Sequence, residues 1–351
     1  MEISLPPVLF GTSALGNLFV ELDDEDKLKI VEACIRSSAG PVVFDSAGKY
    51  GAGLALEVLG RCLRRLGVAP GEVIISNKLG WVRCPLRAEE PTFEPGVWKG
   101  LRHDAVQRIG YDGMMECFAQ GNELLGGYIP QMVSVHDPDE YLAGAGGRRE
   151  LEESRYTDIL DAYEALFDLK REGKVAAVGV GAKDWRVIAK IVADVKLDWV
   201  MFANSMTVKS HPAPLMALMK DLARRGVKVI NSAVFHSGFL VGSDYFDYRQ
   251  VWRGDPGSDP LFRWREEFFA VCEDFGVKPA AACIQFALTV PGVSSIALQS
   301  SDPARVRQNL ELATTPLPGA FWQALSKREL IDPSLPTVVH PGDIQWPPIK
   351  K

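Results

Sequence analysis

The chain has 351 residues, 47% of them hydrophobic and 24% charged, with a formal net charge of -6, an ordinary globular composition with apolar material for one large core. The acidic balance offers no basic patch for nucleic acid, and no apolar run reaches the length of a membrane span. The first ten residues lack a basic segment and a long apolar core, so no signal peptide is expected.

Six cysteines, Cys34, Cys62, Cys84, Cys117, Cys272 and Cys283, are far apart and never in a C-x-x-C arrangement. That spacing predicts neither a zinc cage nor a redox pair, and most of the six fall on apolar positions, where buried reduced thiols are expected in a cytoplasmic protein.

In chain order, residues 8–11 form a first apolar strand, followed by the small-residue loop T-S-A-L-G. Asp23 or Asp24 can cap a helix whose apolar stripe holds Leu28, Ile30, Val31, Cys34 and Ile35. Residues 42–44 are uniformly apolar, as in a strand buried on both faces, and stop at Asp45. Tyr50 follows on a tight loop between Gly48 and Gly51, before a helix over 53–66. A strand over 73–76 then runs into Asn77-Lys78.

Residues 80–109 break the rhythm, with Pro85, Pro91 and Pro95 interleaved with Trp81, Phe93 and Trp98. A segment this long and this aromatic predicts a structured, functional arm. A helix over 111–125 precedes a strand over 132–135 that ends at His136. Gly144 to Gly147 read as a flexible tip, and Arg148, Arg149, Glu150, Glu152 and Glu153 as a solvated approach to a helix over 157–171.

Strands over 175–180, 199–202 and 227–230 alternate with helices over 185–194 and 213–225. A long loop through Tyr245, Tyr248 and Trp252 leads to helices ending near 275 and spanning 280–288, a strand over 294–298, and a helix from Pro303 to about 312. Eight strands, each with a helix after it, predict an α/β chain of one domain, a (β/α)8 TIM barrel over about 8–312. The extension over 313–351 holds one more helix around 321–330. Its prolines, Pro333, Pro336, Pro341, Pro347 and Pro348, are expected to wrap the outside.

In such a barrel the strand ends share one crevice, which brings together Asp45, Tyr50, Lys78 and His136. A phenol is a poor base near its usual pKa of about 10, and a nearby ammonium would lower it by about one to three units. Asp45 would orient that ammonium, and His136 could hydrogen-bond a substrate oxygen. The set suits proton transfer to or from an alcohol that is losing or gaining a hydride. Singly, each residue reads as a surface charge or structural histidine. His103, His211, His236 and His340 follow no metal-ligand spacing, and no metal is expected.

D-S-A-G-K-Y-G after one strand, S-N-K after the next and V-H-D after the fourth resemble the catalytic tetrad of aldo-keto reductases. The likeness covers roughly residues 8–312. It implies Asp45, Tyr50, Lys78 and His136 as catalytic residues. It also implies a nicotinamide cofactor held by Asn204, Ser205, Ser232, Gln299, Ser300, Arg305 and Asn309.

F-D-S-A-G-K-Y-G and I-N-S-A-V-F-H-S-G-F-L most resemble the subgroup acting on D-threo-aldoses and L-fucose, with pyridoxal 4-dehydrogenases similar over the same stretches. The resemblance implies oxidation of an aldose at its anomeric carbon to a lactone. Alternatives are oxidation of pyridoxal, general NADPH-dependent aldehyde reduction, and a cofactor-binding regulatory barrel without turnover.

Three positions depart from the family pattern. Gly181-Ala182 replace the Ser-Asn pair that holds the carboxamide, Asn231 replaces the stacking aromatic, and Gln299 replaces a lysine facing the 2′-phosphate. Losing that cation points to NAD over NADP. Trp81, three residues past Lys78, offers a flat ring for a sugar face. The partner is therefore a small molecule, an aldose or aldehyde, with neither nucleic acid nor membrane expected.

Overall fold

The computed structural model describes residues 3–38 and 40–333. Eight parallel strands close into a barrel in chain order: β1 (Val8–Gly11), β2 (Val42–Ala47), β3 (Val73–Leu79), β4 (Met132–His136), β5 (Ala177–Ala182), β6 (Trp199–Ala203), β7 (Lys228–Ser232) and β8 (Val293–Leu298). Helices that include Asp24–Ser37, Leu54–Arg65, Tyr111–Leu125, Trp185–Asp194, Ala213–Arg224 and Pro303–Thr314 form the outer layer. The (β/α)8 expectation holds.

Side chains on a strand alternate between faces, so each strand feeds both the barrel interior and the helical layer. Leu9, Val43, Met132, Ala177, Trp199, Met201 and Ile230 pack together as the interior cluster. Two residues beyond Val43 on the same face comes Asp45. Likewise Ser76 and Lys78 follow Ile74, and His136 follows Met132 by four. The pleat therefore lifts the polar side chains into the barrel mouth in the same columns as the apolar plug below them. Phe44, Ile75, Val133 and Val135 face the other way, into the helix-side core.

Several strands run past their apolar stretches. β2 and β3 stay paired as far as Ala47 opposite Lys78, because backbone pairing continues where the side chains turn polar. Two interior positions on β5 are glycine for room. A Cβ on Gly179 would overlap the Trp199 indole, and one on Gly181 would lie 2.9 Å from Lys78 Cδ.

The irregular stretch after β3 is an antiparallel hairpin, Trp81–Pro85 against His103–Gln107. Its tip folds back over the loop after β1, with Phe19 N–H donating to Val97 O at 2.8 Å and Lys99 N–H to Asn17 O at 3.0 Å. The helix expected from residue 157 instead spans Arg149–Arg171. The charged stretch read as its approach forms its first two turns, acids stabilising the amino end. Asp23 is the cap of the first helix, accepting from Asp26 N–H at 2.7 Å.

The last described helix, Gly319–Lys327, buries Phe321, Trp322 and Leu325. Pro336, Pro341, Pro347, Pro348 and His340 lie outside the described residues. No helix among the described residues is long and apolar enough to cross a membrane.

Candidate active site

The chain turns immediately after β2. Tyr50 N–H donates to Ala47 O at 3.1 Å, and Ala55 N–H donates to Tyr50 O at 3.2 Å. Glycine is required where this turn meets the loop after β1. A Cβ on Gly16 would stand 2.8 Å from the Tyr50 carbonyl carbon, and Gly51 has φ +60 and abuts Gly16. The Tyr50 backbone is thus wedged between two glycines and the helix that follows.

The four residues expected to meet do meet. Lys78 Nζ lies 2.5 Å from Asp45 Oδ2, and Asp45 Oδ1 accepts from Ser76 Oγ at 3.1 Å. Lys78 Nζ also stands 4.7 Å from the Tyr50 ring centroid. The Tyr50 and His136 rings meet edge-on, with centroids 5.7 Å apart at 84°. His136 Nδ1 is buried without a protein partner.

The expected acidification of Tyr50 is not what this arrangement gives. Burial, then the charges of Asp45 and Asp137, push the phenol well above its usual value, with Lys49 opposing. Lys78 is engaged by Asp45, whose negative charge works against a phenolate. Tyr50 is therefore a neutral phenol here, a proton donor ready for a carbonyl oxygen. Burial pushes His136 down to about 3, Asp137 opposing and Lys78 and Lys49 assisting, so its ring is neutral near pH 7.

Asp45, Tyr50, Lys78 and His136 line one cavity of about 460 Å³, together with Ser232, Gln299, Ser300, Arg305 and Asn309. Asn204 and Ser205 lie just past the cavity-lining Ala203. Ser205 Oγ is taken up by Lys183 O at 2.5 Å and Ala203 O at 3.0 Å. Asn204, at φ +60, is buried with both side-chain amide atoms unpartnered.

An unsatisfied buried amide is costly, and at the end of β6 it fits a carboxamide that supplies the missing hydrogen bonds. Gln299, Ser300, Arg305 and Asn309, which line the cavity, carry donors that would suit the phosphates and hydroxyls of a dinucleotide. Asn231 does not line the cavity, since alternation turns it away from the interior, where its Nδ2 donates to Met206 O at 2.8 Å.

Trp81 does not line the cavity either. It packs on Phe93, ring centroids 5.9 Å apart, with Lys49 Nζ 5.1 Å over its ring. Besides Tyr50, the aromatic residues that line the cavity are Phe19, Trp98, Phe235 and Tyr248, Trp98 lying 5.8 Å from Tyr50 between ring centroids.

Sequence reasoning missed a buried charge cluster beside these residues. Lys49, 2% exposed, places Nζ 2.9 Å from Glu94, 2.8 Å from Asp137 and 2.7 Å from Glu140. Lys183 meets Glu140 at 2.5 Å and stands 4.9 Å over the Tyr248 ring. Four separate segments contribute these five residues, and each residue alone reads as a surface charge. The one available signal was position: Lys49 inside D-S-A-G-K-Y-G and Asp137 directly after His136.

The pattern of the aldo/keto reductase family matches residues 7–329. The D-threo-aldose 1-dehydrogenase of a Pseudomonas species is 27% identical over 344 residues, spanning 94% of this chain and 95% of that protein. Pyridoxal 4-dehydrogenase of Microbacterium luteolum is 27% identical over 335 residues, spanning 92% and 93%. Among solved structures, the glycerol dehydrogenase of Gluconobacter oxydans is similar in fold, with a TM-score of 0.66 at 17% identity over 96% of this chain and 97% of that one. From its barrel, and from a sequence match running almost its full length, the chain belongs to the aldo/keto reductase family.

Proposed function

We propose that this oxidoreductase removes the C1 hydrogen and the O1 proton of a cyclic aldose such as L-fucose or D-arabinose, giving the lactone, with NAD(P)+ as acceptor and NAD+ preferred. The observation that carries this reading is the single cavity shared by Asp45, Tyr50, Lys78 and His136 with the 299–309 segment. When bound, a nicotinamide dinucleotide supplies the acceptor for the C1 hydrogen and its electron pair. In the oxidative direction Tyr50 first gives up its own phenolic proton, a loss that burial opposes; the phenolate then takes the O1 proton, and in the reverse direction the neutral phenol donates it to the carbonyl oxygen. His136, neutral, hydrogen-bonds the same oxygen. Lys78, fixed by Asp45 at 2.5 Å, sets a positive charge 4.7 Å from the centre of the phenol ring and offsets part of the cost that burial and Asp45 place on the phenolate.

The NAD preference is supported at the 2′-phosphate end, where Gln299 stands and Arg305 Nε is partly engaged by Asp302 Oδ2 at 3.5 Å. Similarity at equal identity to a pyridoxal 4-dehydrogenase supports a second reading, pyridoxal oxidation. Initial rates on L-fucose, D-arabinose and pyridoxal, each with NAD+ and NADP+, test both. The aldoses with NAD+ are expected to be fastest. Faster turnover of pyridoxal would favour the second reading, and no turnover on any pair would reject both.

A further inference from the structure

Resting on the reading above, we infer that the Lys49–Glu94–Asp137–Lys183 face of the cavity is a substrate subsite that accepts uncharged, hydroxyl-bearing molecules and rejects anionic ones. In the closed strand order, β4 lies diametrically across from β8. The segment after β8 carries Gln299, Ser300, Arg305 and Asn309. The cluster is built from the ends of β2, β4 and β5 and from the arm after β3. A substrate whose reacting carbon sits at Tyr50 and His136, with the dinucleotide on the β8 side, places its remaining atoms against this face.

The face has a defined polar character. Three carboxylates, Glu94, Asp137 and Glu140, stand against two ammoniums, Lys49 and Lys183, which leaves one negative charge in excess. The Lys49 ammonium lies 2.7 to 2.9 Å from all three carboxylates and donates to Asp137 and Glu140. Lys183 has one short partner, Glu140, and stands 3.9 Å from Glu94, beyond hydrogen-bond reach, so it retains a donor. Trp98 Nε1 holds Glu94 Oε2 at 2.8 Å, fixing that carboxylate.

A hydroxyl is both donor and acceptor, and can give its proton to a carboxylate while taking one from Lys183. A carboxylate or phosphate on the substrate could accept only from Lys183, whose charge is already answered by Glu140, and would face the negative excess of the cluster. The aromatic surfaces of Trp98 and Tyr248 suit the C–H face of a sugar ring.

L-galactose and L-galacturonate differ only in oxidation of the sixth carbon to a carboxylate and form the test pair. The wild-type protein with its preferred cofactor should show kcat/KM about 100-fold lower on the uronate. Glu94→Gln and Glu140→Gln, each isosteric and each removing one negative charge, should narrow that gap by about fivefold or more at low salt.

Binding of both sugars to Tyr50→Phe with cofactor, measured by calorimetry, reads the same preference without turnover. If turnover fails while binding still discriminates, the oxidation reading falls and the subsite stands. Binding or turnover of the two sugars within threefold, or a gap unmoved by either glutamine variant, would overturn the subsite.

Discussion

Asp45 and Lys78 end neighbouring strands and meet at 2.5 Å with 3% and 2% of their surfaces exposed. Removing one partner of a buried pair leaves a charge in low dielectric without compensation. Asp45→Asn should therefore destabilise the barrel by about 3–5 kcal/mol and cut turnover. The double variant Asp45→Leu with Lys78→Met should recover much of the stability and none of the activity. Urea unfolding beside initial rates checks both.

Gly16 supports Tyr50 from behind, and the atoms a side chain would meet are backbone, which cannot swing aside. Gly16→Ala should shift the Tyr50 loop and lower kcat by about 100-fold while the protein remains folded. Gly71→Ala, where an added Cβ meets nothing within 4 Å, serves as the control and should leave kcat unchanged.

His136 makes the fold acid-sensitive. The unfolded chain binds this proton below about 6.5, whereas the folded chain resists it down to about 3. Between those values the unfolded state holds more protons, so stability is present above 6.5 and is lost as pH falls, by up to about 5 kcal/mol. His136→Gln should flatten that acid limb in urea midpoints measured from neutral pH downward.

Asp139 acts with the opposite sign. Burial, then Asp137, push its carboxyl up to about 6 from 3.8, so its contribution is full below 3.8 and is lost as pH rises through 6. Asn at this position keeps an acceptor for Lys183 N–H and Asp184 N–H, now bonded at 3.1 and 2.8 Å. Asp139→Asn should stabilise the protein by about 1–3 kcal/mol at about pH 8, and by nothing near pH 4. Thermal midpoints at the two pH values check the sign.

The barrel was legible because most of its strands hold a short apolar run, buried on both faces, that needs no partner-specific signal to be recognised. Tyr50 and its partners were legible for a related reason: Asp45, Lys78 and His136 break those runs at the same end. The hairpin after β3 was not. Its pairing of Pro85 with His103 joins residues separated by a proline- and glycine-rich tip, and the strands have no clean alternation.

Trp98 rather than Trp81 faces the cavity because the arm folds back, a tertiary event that spacing from Lys78 does not encode. The state of Tyr50 followed from the same gap. Proximity to Lys78 suggested acidification, but the depth of burial and the carboxylates of Asp45 and Asp137 could be weighed only once the loops were in place.

The central claim is that Tyr50 carries the proton. The most direct measurement is the single-turnover rate of Tyr50→Phe on L-fucose, beside its cofactor affinity by fluorescence titration. The account predicts cofactor binding within about twofold of the unchanged protein and a rate lower by about 10³-fold or more. A variant that turns over L-fucose at the unchanged rate would contradict it.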